Sequence, residues 1–200
     1  MKTEKRFQNS KIIEARQAGE GERYFEGYAA VFDQPSKLMR ENGKVFVESI
    51  KREAFNEVLD NGPKVRLVVN HDSDKLLGRT ESGTLELSVD DIGLKYRASV
   101  PNTTLGNDTF EQIKRGDYFE SSFMFGVRPD DQVWSFNKTE NVWNRELTNI
   151  PVLQDVSIVT DGAYANTDVT VAERHLKEFD ENLHKAERQR RINKLKLLEL

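Results

Sequence analysis

Residues 83–100, GTLELSVDDIGLKYRASV, alternate apolar and polar side chains on both sides of Asp90-Asp91-Ile92-Gly93. Successive side chains of an extended strand point to opposite faces, so clean alternation marks a half-buried strand, and two such runs around a turn mark a hairpin. No other simple element tolerates this pattern, and the rest of the chain must supply partners for it.

It supplies several. KIIEAR and RYFEGYAAVF, joined by the turn-forming QAGEGE, read as a hairpin over residues 11–33. A less regular stretch follows, then a strand KVFVESI and a short amphipathic helix in KREAFNEVLD, with Phe55, Val58 and Leu59 at helical spacing and Asn61-Gly62-Pro63 as its stop. In VRLVVNHDSDKLLGRT, residues 65–80, alternation puts Val65, Leu67, Val69 and His71 on one face. A second helix is expected in LGNDTFEQIKRGD, with Phe110 and Ile113 inward and Gly116 as its end. YFESSFMFGV, VWSFNKTENVWNREL around its own turn, and LQDVSIVT complete the strands. Many short strands with two brief helices make a β-rich α+β domain, either a closed barrel or a sandwich.

From about Glu173 the character changes. Residues 173–200 lack glycine and proline and carry Leu176, Phe179, Leu183 and Ala186 at helical spacing. The expected organisation is a domain over residues 1–172 and a helical C-terminal tail over 173–200. Such a tail reads best as a solvated amphipathic helix that packs on the domain or pairs with another helix.

Composition excludes some functions. With 30 Lys/Arg against 34 Asp/Glu the net charge is a modest −4, so the molecule as a whole should not be drawn to a polyanion and no direct nucleic-acid role is expected. There is no cysteine, hence no disulfide, thiolate metal site or cysteine nucleophile. The first residues are charged where a signal peptide would be apolar, and no window approaches the roughly 18 apolar residues of a membrane span. No membrane association is expected, and the reading is cytoplasmic.

A serine used in covalent catalysis needs an adjacent base, most often histidine, itself oriented by a carboxylate. His71 is the best placed of three histidines, since His175 and His184 lie in the charged tail. By position alone it reads better as a strand-end residue hydrogen-bonded to backbone. Ser121 and Ser122 stand among large aromatics, where a small residue serves packing. Asp155, among aliphatics, needs a partner, and His71 suits it. A metal site built from His71, Asp72 and Asp74 ranks last: the spacing is not that of an EF-hand loop, and no second histidine is near for zinc. No metal or other cofactor is expected.

These residues acquire a common reading through resemblance. VVNHDSDKLLGRT, GTLELSVDDIGLKYRASVPNTTLGNDTFEQIKRGDYFESSFMFGV and LQDVSIVTDGAYANTDV, with IEARQAGEGERYFEGYAAVFD and FVESIKREAF before them, resemble in content and order the prohead maturation proteases of tailed bacteriophages, relatives of the herpesvirus capsid-assembly protease. The match spans roughly residues 10–170. It implies a herpesvirus-protease-like β-barrel flanked by short helices, and a serine endopeptidase with His71 as base, Ser122 as nucleophile and Asp155 orienting the imidazole. Ser121 stays an alternative nucleophile, and the Phe123 N–H and Arg128 guanidinium are candidate oxyanion donors. The implied partners are the phage major capsid protein and scaffold, with self-association among the expectations. The implied location is the immature prohead in the host cytoplasm. The rival is a non-catalytic capsid assembly protein with the same barrel.

Overall fold

The computed structural model describes residues 2–8, 13–18, 22–41 and 43–160; the expected tail helix and its boundary at residue 173 lie outside them. Among the described residues thirteen strands fall in chain order: β1 (Lys2–Gln8), β2 (Ile13–Ala18), β3 (Glu22–Val31), β4 (Met39–Glu41), β5 (Lys44–Ile50), β6 (Arg66–Val69), β7 (Asp72–Arg79), β8 (Leu85–Val89), β9 (Gly93–Ser99), β10 (Glu120–Val127), β11 (Gln132–Asn137), β12 (Val142–Leu147) and β13 (Val152–Val159). Two α-helices, α1 (Asn56–Asp60) and α2 (Thr104–Arg115), complete the frame, α1 preceded by a 3₁₀ turn at Arg52–Phe55. Among the described residues no helix is long and apolar enough to cross a membrane.

Both sequence hairpins form, β2 with β3 and β8 with β9, and the strands on either side of the turn in VWSFNKTENVWNREL pair as β11 with β12, each antiparallel. Both helices form too. Thr103 caps α2 by accepting from the Gly106 N–H, and Gly116 ends it in the left-handed region at φ 85°, where a missing Cβ removes the steric penalty.

Pairing builds three sheets, in the orders β1-β10-β13-β6-β7, β11-β12-β5-β4 and β2-β3-β9-β8. This corrects the expected closed barrel. Among the described residues none of the sheets returns to its first strand, and no continuous ladder joins one sheet to the next. One core joins them: Phe25 and Tyr96 from the third sheet, Ile50 and Leu147 from the second, Leu67, Phe123, Val156 and Ile158 from the first, with Phe55 beneath. Phe123 meets Phe55 edge-on at 5.9 Å and stacks on Phe125 at 4.9 Å.

Gly93 stands opposite Val31, where the backbone of β3 comes close. A Cβ there would stand 1.9 Å from the Ala30 carbonyl oxygen. Gly93→Ala is therefore expected to destabilise the domain by about 3 kcal/mol, the upper end of overpacking costs, read as a lower urea midpoint at unchanged slope.

Candidate active site

The site lies where β6, β10 and β13 run side by side. β13 pairs with β10 antiparallel and with β6 parallel, so it is interior to the sheet. Ser122 stands opposite Ser157, and Met124 opposite Asp155, with the register shifting just beyond. Side chains alternate along each strand, which gives one face Ser122, Asp155 and Ser157 and the other Phe123 and Val156. The polar face carries the chemistry and the apolar face the core.

His71 reaches this face by a route that alternation does not foresee. The strand β6 stops at Val69, and Asn70-His71 form a two-residue turn into β7, with φ of 52° and 55°. Two consecutive positive φ values define the hairpin turn that matches strand twist and favours Asn-Gly. A histidine in the second place is a local strain of the kind found at functional sites. This corrects the expectation that His71 shares a strand face with Val65, Leu67 and Val69. The turn is tied to β13: the Asn70 N–H donates to the Ile158 carbonyl (2.9 Å), and Ser157 Oγ accepts from the His71 N–H (2.9 Å) while donating to the Val68 carbonyl (3.2 Å).

So held, the imidazole bridges two strands. Its Nδ1 lies 2.7 Å from Asp155 Oδ1 and its Nε2 lies 2.6 Å from Ser122 Oγ. Asp155 is 2% exposed and Ser122 fully buried. Ser121, one residue earlier, points the other way; its hydroxyl is 3.0 Å from the buried Tyr96 hydroxyl, whose pKa burial pushes up. The metal alternative does not assemble, because both ring nitrogens of His71 face Asp155 and Ser122, while Asp72 accepts from the Asp74 N–H and pairs with Lys75. Among the described residues no three acidic or histidine side chains are grouped to hold a metal ion.

Of the two oxyanion candidates, Phe123 lies in β10 between two paired strands. Arg128, six residues beyond Ser122 or about 20 Å along a strand, is bound to Glu57 (3.1 Å) instead. Sequence reasoning missed Ser157, whose signal was its place two residues after Asp155 on the same strand face.

Sequence reasoning also missed β1, the charged KTEKRFQ, which pairs with the open side of β10 and places Phe7 opposite Ser122. The Ser122 hydroxyl donates to the Arg6 carbonyl at 2.7 Å. From the same strand Glu4 and Arg6 reach Glu48 of β5 and Arg145 of β12. Arg6 grips Glu48 through two nitrogens (2.6 and 3.0 Å), Arg145 bonds Glu48 (2.8 Å) and Glu4 (2.9 Å), and Arg6 also bonds Glu4. Burial by itself would raise the Glu4 carboxyl, but the bonds and charges of Arg145 and Arg6 outweigh it and hold the group below the usual carboxylate range. A lowered folded-state pKa gives stability that is present above the unfolded value, about 4.3, and is lost as pH falls through the lowered one. Amide protection of residues 2–8 is thus expected to be flat above about pH 5 and to fall in acid, with Glu4→Gln removing the acid-dependent part.

A hydroxyl, an imidazole and a buried carboxylate bonded in series, the imidazole in the middle, are the parts with which serine hydrolases make a nucleophile. The family model described as Caudovirus prohead serine protease matches residues 10–182, and the chain belongs to that family. No curated protein and no solved structure matches it.

Proposed function

We propose that the protein is the serine endopeptidase of capsid maturation, with Ser122 as nucleophile, His71 as general base and acid, and Asp155 as the group that orients the imidazole. The observation that carries this reading is the unbroken series Asp155–His71–Ser122, with both links within 2.7 Å. Ser122 Oγ attacks a peptide carbonyl as His71 Nε2 takes its proton. His71 returns the proton to the departing amine, leaving an acyl-serine, and water activated by the same imidazole releases it. Asp155 keeps the Nδ1–H turned toward itself, so that Nε2 is the basic nitrogen. The Phe123 N–H, next to the nucleophile, is the oxyanion donor we assign.

The substrates are the scaffold, or a scaffold-like extension of the major capsid protein, and the enzyme itself, cut inside the immature shell in the host cytoplasm. Self-association and docking through residues 173–200 belong to the same proposal. The full burial of Ser122 favours a second reading, a capsid assembly protein that keeps the fold without catalysis.

Co-expression with the capsid and scaffold genes of the same genome, followed by intact mass measurement, separates the two. Trimmed products with wild type, and full-length ones with Ser122→Ala and His71→Ala in normally assembled shells, support the protease; identical masses from all chains support the assembly protein.

A further inference from the structure

The side of β10 that carries Ser122 is occupied by β1, and the occupant is built like a ligand. It lies antiparallel in an unbroken register from Lys2–Val127 to Gln8–Ser121. It presents a peptide carbonyl, that of Arg6, to the Ser122 hydroxyl. Two residues apart on one face of the strand, Glu4 and Arg6 enter a site whose fixed walls are Glu48, 4% exposed, and Arg145, 3% exposed. The Arg6 guanidinium also lies 5.4 Å from the centre of the Phe125 ring. If β1 leaves, Glu48 and Arg145 still satisfy each other, so the site survives empty of charge imbalance and ready for another acidic–x–basic strand.

Resting on the protease reading above, we propose that β1 occupies the substrate position: substrate adds to β10 as an extended strand, with Glu48 receiving a basic side chain at the residue before the cut and Arg145 an acidic one two residues earlier. Strand addition supplies affinity through main-chain bonds, and pockets for alternate side chains supply selectivity. While docked, β1 also competes for the nucleophile. A serine hydroxyl has one proton, and the proton given to the Arg6 carbonyl is not available to His71 Nε2. The enzyme is therefore held back until a competing strand or assembly draws β1 away.

The test uses the full chain carrying Glu4→Gln and Arg6→Gln, which loosens β1 and leaves Glu48 and Arg145 intact. A labelled peptide TEKRFQ is expected to bind it at least about 30-fold more tightly than TRKEFQ, in which the charges are exchanged. With the wild-type chain, the same peptide should speed amide exchange of residues 2–8. Cuts in the co-expressed capsid and scaffold proteins that depend on Ser122 should follow Arg or Lys with Asp or Glu two residues before. Equal binding of the two peptides, or unchanged exchange in the wild-type chain, overturns the proposal. Ser122-dependent cuts without that pattern overturn it while leaving the protease standing. Selective binding with no Ser122-dependent cut upholds the docking and removes the protease.

Discussion

Ser122→Ala is expected to lower cleavage of the capsid or scaffold substrate by about 10⁶-fold, the loss typical when a serine nucleophile is removed and only binding and oxyanion stabilisation remain. The fold should survive. Ser122 is fully buried and alanine fits its space, so the cost is its hydrogen bonds to the Arg6 carbonyl and to His71 Nε2, about 1–3 kcal/mol. Its neighbour gives the opposite result. Ser121→Ala leaves the Tyr96 hydroxyl, buried in the core, without the partner it has at 3.0 Å, which costs about 1–3 kcal/mol of stability and leaves turnover unchanged. Time courses by mass spectrometry and urea unfolding of both variants measure the pair.

Asp155→Asn is expected to cost about 10⁴-fold in kcat with KM little changed. The shape is kept and the carboxylate lost. An amide can turn its NH₂ toward Nδ1 (the Oδ1 position is 2.7 Å away), which stabilises the wrong tautomer and leaves Nε2 carrying a proton when a base is needed. A structural role for Asp155 would instead lower stability and leave the rate per folded molecule intact.

The strands that carry the site were legible because they bury one or both faces in apolar material. Alternation found the hairpins of residues 83–100 and 11–33, and the aliphatic runs found β6 and β13. What eluded it has a common cause. β1 is held by its ladder with β10 and by charge, and the partners of Glu4 and Arg6 lie far off in sequence at Glu48 and Arg145. No periodicity within KTEKRFQ reports them. His71 was found as a residue but misplaced, because the turn at Asn70-His71 lacks the glycine that usually announces two positive φ values. Ser121 and Ser122 could not be told apart by composition. The pleat separates them, turning one to Tyr96 and the other to His71. The barrel implied by resemblance gave way to three sheets, since strand order is set by pairings that local sequence does not encode.

If His71 makes Ser122 a nucleophile, Ser122 should react with reagents selective for activated serines. The most direct measurement is peptide mapping of the protein after treating assembling proheads with an organophosphonate that reacts only with activated serines. A single adduct on Ser122 is expected, present in wild type and lost in His71→Ala. An adduct on Ser121, or processing that continues in Ser122→Ala particles, would contradict it.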